Sequence, residues 1–154
     1  MRNAMKIRRA LLDDAERLYE IEKECFTFEA LSREQIVSFI RDKDSTALVA
    51  QVNGEIAGFI IGKIYTANGK HAGHVITLDV AVKHRRKGVG KQLLEALERI
   101  FLEKGVKFCY LEARADNISA LNLYRKMGYV ELEKLEGYYG DVHGIRMRKN
   151  LRAP

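Results

Sequence analysis

His84–Phe101 reads HRRKGVGKQLLEALERIF: four basic residues in a row, two glycines separated by one residue, then an apolar stripe of Val89, Leu93, Leu94, Leu97, Ile100 and Phe101. The stripe recurs at helical spacing with no breaker, so the segment predicts an amphipathic helix that opens beside the glycines and ends at Gly105. A helix start carries unpaired N–H groups and partial positive charge, and glycines let an anion approach them with no side chain in the way. Arg85, Arg86, Lys87 and Lys91 add charge complementary to phosphate. Residues 85–91 therefore read as a pyrophosphate cradle made of Arg85, Arg86, Lys87, Gly88, Val89, Gly90 and Lys91. The spacing fits neither the G-x-x-x-x-G-K-[ST] phosphate loop nor the G-x-G-x-x-G dinucleotide pattern. A solvated basic loop with turn glycines is the plain alternative.

The rest of the chain bounds that reading. Its 154 residues suit one domain spanning 1–154, and 47% apolar with 31% charged residues is ordinary for a folded globular protein. No apolar run approaches the roughly 20 residues that span a bilayer, and no signal-peptide pattern opens the chain, so a cytoplasmic protein is expected. Cys25 and Cys109 are far apart and lack metal-ligand spacing; they read as reduced core residues, and nothing suggests a metal. A formal charge of +6 points to an anionic partner: nucleic acid, membrane or a phosphorylated cofactor.

Outward from the opening stretch, the hydrophobic period alternates between helix and strand. Met5–Arg8 reads as a strand, with translation starting at Met1 or Met5. Asp13 and Glu16 have capping-box spacing before a helix reaching Phe26, and Ser32 with Gln35 opens a second helix through Ile40. Residues 46–52 and 55–65, joined by Asn53-Gly54, read as a hairpin. Strands follow at 74–82 and 108–113, a helix at 118–127, and two closing strands at 129–135 and 145–150. The order β-α-α-β-β-β-α-β-α-β-β predicts an α/β fold with a sheet of mixed strand directions, whose two later β-α-β crossovers call for parallel neighbours.

Two spaced motifs resemble one family. Arg85-Arg86-Lys87-Gly88-Val89-Gly90 resembles the [RQ]-x-x-G-x-[GA] motif of the GNAT superfamily of N-acetyltransferases, and Asn117 to Tyr129 resembles its N-x-x-A-x-x-L-Y-x-x-x-G-[FY] segment. The resemblance implies the GNAT fold, a mixed, mostly antiparallel sheet of about seven strands flanked by four helices. It implies acetyl-CoA as donor and CoA as product. Pyrophosphate would lie on the cradle, the pantetheine arm along the Leu78-Asp79-Val80 backbone, and Asn117, Tyr124 and Lys126 would make further cofactor contacts. YLEARADN (110–117), GHVITLDV (73–80) and EGYYGD (136–141) are similar to stretches of the protein N-terminal acetyltransferases, both the ribosomal-protein alanine and the archaeal enzymes. Thr77, Asp79 and Val82 depart from that pattern. The loop from Phe26 to Leu31 lacks the proline-containing patterns that would fix specificity. Phe28 and Glu29 in that loop, with Tyr138 and Tyr139 of a G-Y-Y loop, are the candidate substrate contacts.

Transfer of acetyl from a thioester to an amine needs a neutral amine, an oxyanion site and a proton for the thiolate. An α-amine titrates near 7.7–8.0 and a lysine near 10.4, so an α-amine acetylase needs only a modest base. Glu112 is the candidate base, His74 the second, and Tyr124 the candidate acid. The plain alternatives are a Glu112–Arg114 salt bridge, a strand-end histidine, and a helix-face aromatic packed on the sheet. Lys126 is equally readable as solvated, and Tyr138–Tyr139 as an ordinary hairpin loop. Three functions follow. They are acetylation of protein N-terminal α-amines, a GNAT enzyme for lysine side chains or small amines such as polyamines or antibiotics, and a non-enzymatic basic module binding nucleic acid. The first implies protein or peptide N-termini as substrate, no DNA or membrane partner, and a monomer or weak dimer. It leaves ribosome association or an auxiliary subunit open.

Overall fold

Two Asn-Gly pairs shape the first part of the sheet. Asn53 and Gly54 have φ of 53° and 79°, and Asn68 and Gly69 have 53° and 74°, the doubly left-handed pattern of the tight turn whose twist matches paired strands. They join β2 (Ser45–Val52) to β3 (Glu55–Ala67) and β3 to β4 (Lys70–Val80). The computed structural model describes residues 5–26 and 29–152. Its other elements are β1 (Met5–Arg9), α1 (Ala15–Cys25), α2 (Arg33–Arg41), α3 (Val89–Glu103), β5 (Phe108–Arg114), α4 (Ile118–Lys126), β6 (Val130–Tyr139) and β7 (Val142–Asn150). The element order is the expected one. Strands are hydrogen-bonded in the order β1-β2-β3-β4-β5-β7-β6, giving a seven-stranded, mostly antiparallel sheet with four helices. Among the described residues, no helix is long and apolar enough to cross a membrane.

Four expectations need correction. The first β-α-β crossover does make parallel neighbours, β4 and β5, with His74 opposite Tyr110. The second does not: β7 folds back and pairs antiparallel with both β5 and β6, so it stands between them. The Asp13–Glu16 box does not form. Asp14 precedes α1 instead, and its carboxylate accepts from Leu11 N–H at 2.7 Å and Arg8 Nη1 at 2.8 Å. β4 starts at Lys70, because Asn68-Gly69 turns the chain earlier than the apolar pattern suggested. Tyr138 and Tyr139 belong to β6, not to a loop, since Gly137 at φ 64° is absorbed as an irregularity between Leu135 and Tyr139.

The fold divides into two compact units. One comprises residues up to Lys63 together with Ile76–Arg99; the other comprises Ile64–Val75 together with residues from Ile100 onward. In the first, Leu18 and Ile21 of α1, Ile36 of α2, Val49 of β2 and Phe59 and Ile61 of β3 form one buried cluster. Leu48 and Ala50, on the opposite face of β2, are buried as well, so β2 is covered on both faces. Ser32 opens α2 with the expected reciprocal box: its hydroxyl accepts from Gln35 N–H at 3.1 Å and Gln35 Oε1 accepts from Ser32 N–H at 2.8 Å. In the second unit, Cys109, Leu111, Leu121, Tyr124, Tyr129 and Met147 are buried, and Tyr129 donates to Cys109 Sγ at 3.2 Å. Both cysteines are reduced, with no disulfide between them, Cys109 buried and Cys25 half-buried.

Gly58 of β3 sits where the first unit is tightest. A Cβ there would lie 2.5 Å from the Asp79 carbonyl oxygen and 3.1 Å from Val89 Cγ1. The first neighbour is backbone and cannot swing aside. Gly58→Ala is expected to lower stability by about 1–3 kcal/mol, the range for overpacking. Urea denaturation against wild type measures it, and an unchanged midpoint would contradict this close approach.

Candidate active site

In the first unit, β4 ends at Val80 and a single helical turn, Val82–His84, leads into the basic segment. Arg86 has φ 64° and Gly88 φ 80°. Two left-handed residues flanking Lys87 bend the backbone as anion-binding loops do. Arg85, Arg86, Lys87 and Gly88 are exposed, and α3 opens directly behind them at Val89. An added Cβ at Gly88 would meet nothing within 4 Å, so the glycine is required by its φ and the space beside it is open. Exposed N–H groups, open space and four cations, Arg85, Arg86, Lys87 and Lys91, fit a diphosphate.

The end of α1 is tied to this turn. Glu24 Oε1 accepts from Val82 N–H at 2.6 Å, the Cys25 thiol lies 3.5 Å from the Val80 carbonyl, and Arg85 donates from Nε to that carbonyl at 3.2 Å and from Nη2 to Cys25 Sγ at 3.6 Å. Arg85 thus has a structural duty as well as a charge. Leu78 and Val80 lie half-buried on one face of β4, while Asp79 faces the other way and is buried. Only the Asp79 backbone remains for the cofactor. Burial, and then the neighbouring Glu22, push its carboxyl well above the usual carboxylate range. Of the two substrate candidates between α1 and α2, Glu29 is half-buried in a turn, and Phe28 lies outside the described residues.

In the second unit, His74 of β4 and Glu112 of β5 meet: His74 Nε2 is 2.7 Å from Glu112 Oε1. The other carboxylate oxygen, Oε2, accepts from Arg146 Nε at 3.3 Å, and Arg146 Nη1 donates to Glu133 Oε1 at 2.6 Å. Strand register makes this ladder, because Arg146 of β7 lies opposite Glu112 on one side and Glu133 on the other. Glu112's ion partner is therefore Arg146, while Arg114 pairs with Asp116 at 3.1 Å. Burial works to raise the Glu112 pKa, but the hydrogen bonds and charges of His74 and Arg146 outweigh it, and the carboxyl lies below its ordinary value. An ionised carboxylate only accepts, so His74 donates from Nε2, and in the neutral imidazole Nδ1 is then the acceptor. Arg146 is the functional candidate that sequence reasoning missed.

Tyr138 and Tyr139 stack edge-on at 4.9 Å. Burial, and then the Glu112 charge, raise the Tyr138 pKa, and Arg114 lies 5.6 Å over the Tyr139 ring. Tyr124 of α4 is buried, with its ring 6.0 Å from that of Tyr129. Asn117 caps α4 as expected, its Oδ1 accepting from Ala120 N–H at 3.1 Å, and Lys126 is exposed on the last turn.

A family model described as "Acetyltransferase (GNAT) family" matches residues 15–129. The chain belongs to the GNAT family. Over 145 residues it is 32% identical to an N-alpha-acetyltransferase of Sulfurisphaera tokodaii, covering 88% of this chain and 86% of that protein. Among solved structures, Ard1 of Thermoplasma volcanium superposes with a TM-score of 0.89 at 28% identity, covering 97% and 99% of the two chains. NAA60 of Arabidopsis thaliana, crystallised with acetyl-CoA, shares the fold with a TM-score of 0.85 at 20% identity, covering 96% and 99%. This GNAT protein is an N-acetyltransferase with acetyl-CoA as its donor.

The raised Asp79 pKa has a stability consequence with a definite sign. The folded state holds a proton that the unfolded chain releases, so stability falls as pH rises from the unfolded carboxyl value through the folded one. Asp79→Asn removes that loss. The variant should gain stability relative to wild type as pH rises from 4 to 8 in urea titrations; a constant difference would show that Asp79 is ionised throughout.

Proposed function

We propose that this GNAT enzyme acetylates the N-terminal α-amine of proteins and peptides. The observation that carries the reading is the His74–Glu112 pair. Glu112, held ionised by His74 and Arg146, is a weak proton acceptor and acts by orienting the imidazole. Imidazole is the side chain whose charge changes nearest neutral pH, a modest base matched to an amine that is already partly neutral there. A lysine side chain, neutral roughly once in several thousand molecules at pH 7, would ask for a stronger one. The S. tokodaii relative named N-alpha-acetyltransferase points the same way.

Acetyl-CoA supplies the acetyl thioester. In the first unit, Arg85, Arg86, Lys87 and Lys91, with the N–H groups at Gly88–Gly90, would hold its diphosphate and the backbone of Leu78, Asp79 and Val80 its pantetheine arm; in the second, Asn117 and Lys126 are further candidate contacts. Glu29 in the first unit, and Tyr138 and Tyr139 in the second, are each candidate peptide contacts. His74 Nδ1 takes the amine proton directly or through one water, while Glu112 stabilises the imidazolium that results. The Tyr124 hydroxyl supplies the proton required on the other side of the reaction. A phenol near pKa 10 does so only when positioned, and its burial in α4 holds it in place.

A short peptide with a free N-terminus should be acetylated by the enzyme, and the same peptide blocked at its N-terminus but carrying an internal lysine should not. Turnover of small amines or lysine in place of the free peptide would favour the second substrate class. Glu112→Gln and Tyr124→Phe should each lower kcat by about 10²-fold or more, in the range for general acid–base catalysis. If neither does, these two residues are not the machinery. Arg146→Met removes the cation beside the His74–Glu112 pair, which makes it easier for the pair to hold a proton, and so should move the acid limb of the kcat/KM profile to higher pH. An unmoved limb would detach Arg146 from the chemistry.

A further inference from the structure

Thr77 stands between two buried carboxyls. Its Oγ1 lies 2.5 Å from Asp79 Oδ1 and 3.1 Å from Glu22 Oε1, and Glu22, Thr77 and Asp79 are 2%, 7% and 1% exposed. A hydroxyl has one hydrogen and serves one acceptor. The second oxygen–oxygen contact therefore needs a hydrogen from a carboxylic acid. Glu22 has another donor, the Leu31 N–H, which reaches its Oε2 at 2.9 Å. Asp79 does not: its Oδ2 is buried and has no hydrogen-bond partner among the described residues. An ionised Asp79 would leave charge on that oxygen with nothing to meet it. The proton is on Asp79, which donates to Thr77, which donates to the Glu22 carboxylate, which accepts from the backbone of Leu31.

That chain of hydrogen bonds runs from β4 through α1 to the far end of the segment that joins α1 to α2. We propose that Glu22, Thr77 and Asp79 are positioning residues for the peptide: together they set where Leu31, and with it the nearby Glu29, stands. The proposal rests on the N-terminal α-amine reading above. It gives a role to Asp79, a carboxyl that the transfer chemistry does not use. The other groups facing it are Cys25 of α1, whose thiol burial and Asp79 push up to about 11, and Arg85, whose Nε and Nη2 donate to the Val80 carbonyl and the Cys25 sulfur.

The test is a steady-state comparison of Thr77→Val, Thr77→Ser, Asp79→Leu and Asp79→Asn with wild type, using a free-N-terminal peptide and acetyl-CoA, alongside hydrogen exchange at the Leu31 amide. Thr77→Val and Asp79→Leu should raise the peptide KM about tenfold, the loss of one buried hydrogen bond, and leave the acetyl-CoA KM within about twofold. Thr77→Ser keeps the hydroxyl and Asp79→Asn keeps a donor, so both should bring the peptide KM back toward wild type. Leu31 should lose exchange protection in the first two variants and keep it in the rescue pair. Equal rises in both KM values, or Ser and Asn variants no better than Val and Leu, would overturn the proposal. If wild type acetylates no peptide, the N-terminal reading fails. The Leu31 exchange pattern still decides the hydrogen-bond chain, and unchanged protection in Thr77→Val and Thr77→Ser alike refutes it whether or not Asp79→Leu folds.

Discussion

β7 pairs antiparallel with β5 in an unbroken register and with β6 across an irregularity between Glu131 and Glu133, and the chemistry of the second unit depends on it. That register sets Arg146 opposite Glu112 and Glu133 at once. A slip of one residue would turn Arg146 to the other face of the sheet. Glu112, only 11% exposed at its side chain, would then lose the cation that offsets its burial. With Arg146 in place the carboxylate stays charged despite desolvation, and a charged carboxylate fixes the hydrogen on His74 Nε2. Sheet geometry and acid–base assignment are thus one fact seen at two scales.

The first unit solves a different problem, holding a charged, exposed loop still without burying it. The cations of residues 85–87 repel one another, and two residues there adopt left-handed backbone. The restraint comes from α1: Glu24 on the Val82 amide, Cys25 beside the Val80 carbonyl, and Arg85 folded back onto the same carbonyl. Through Glu22 that helix also reaches Thr77 of β4 and the Leu31 amide. One short helix end therefore supports both the basic loop and Leu31, beside the Glu29 proposed to meet the peptide.

Most of this order was legible in the sequence because it is local. Helical spacing located α3, the Ser32–Gln35 pair opened α2, and Asn53-Gly54 marked the first hairpin. Asn68-Gly69 carried the same signal and would have placed the start of β4. The cradle and the Asn117 cap were readable for the same reason, since each is a run of adjacent residues. What could not be read is set by pairing at a distance. Arg146 becomes a partner of Glu112 only through the insertion of β7 between β5 and β6, and no local pattern encodes that. Glu22 looked like one more polar residue of α1, and only packing shows it buried against Thr77 and Asp79. The glycines at 137 and 140 suggested a loop where the strand absorbs one of them.

The tautomer of His74 is where these strands of evidence meet, and imidazole nitrogen NMR on selectively labelled protein reads it directly. An ionised Glu112 requires the hydrogen of neutral His74 to sit on Nε2, with that preference weakened in Glu112→Gln. A neutral His74 protonated on Nδ1 in the wild-type enzyme would contradict the orientation of the base, and with it the assignment of His74 Nδ1 as the acceptor of the amine proton.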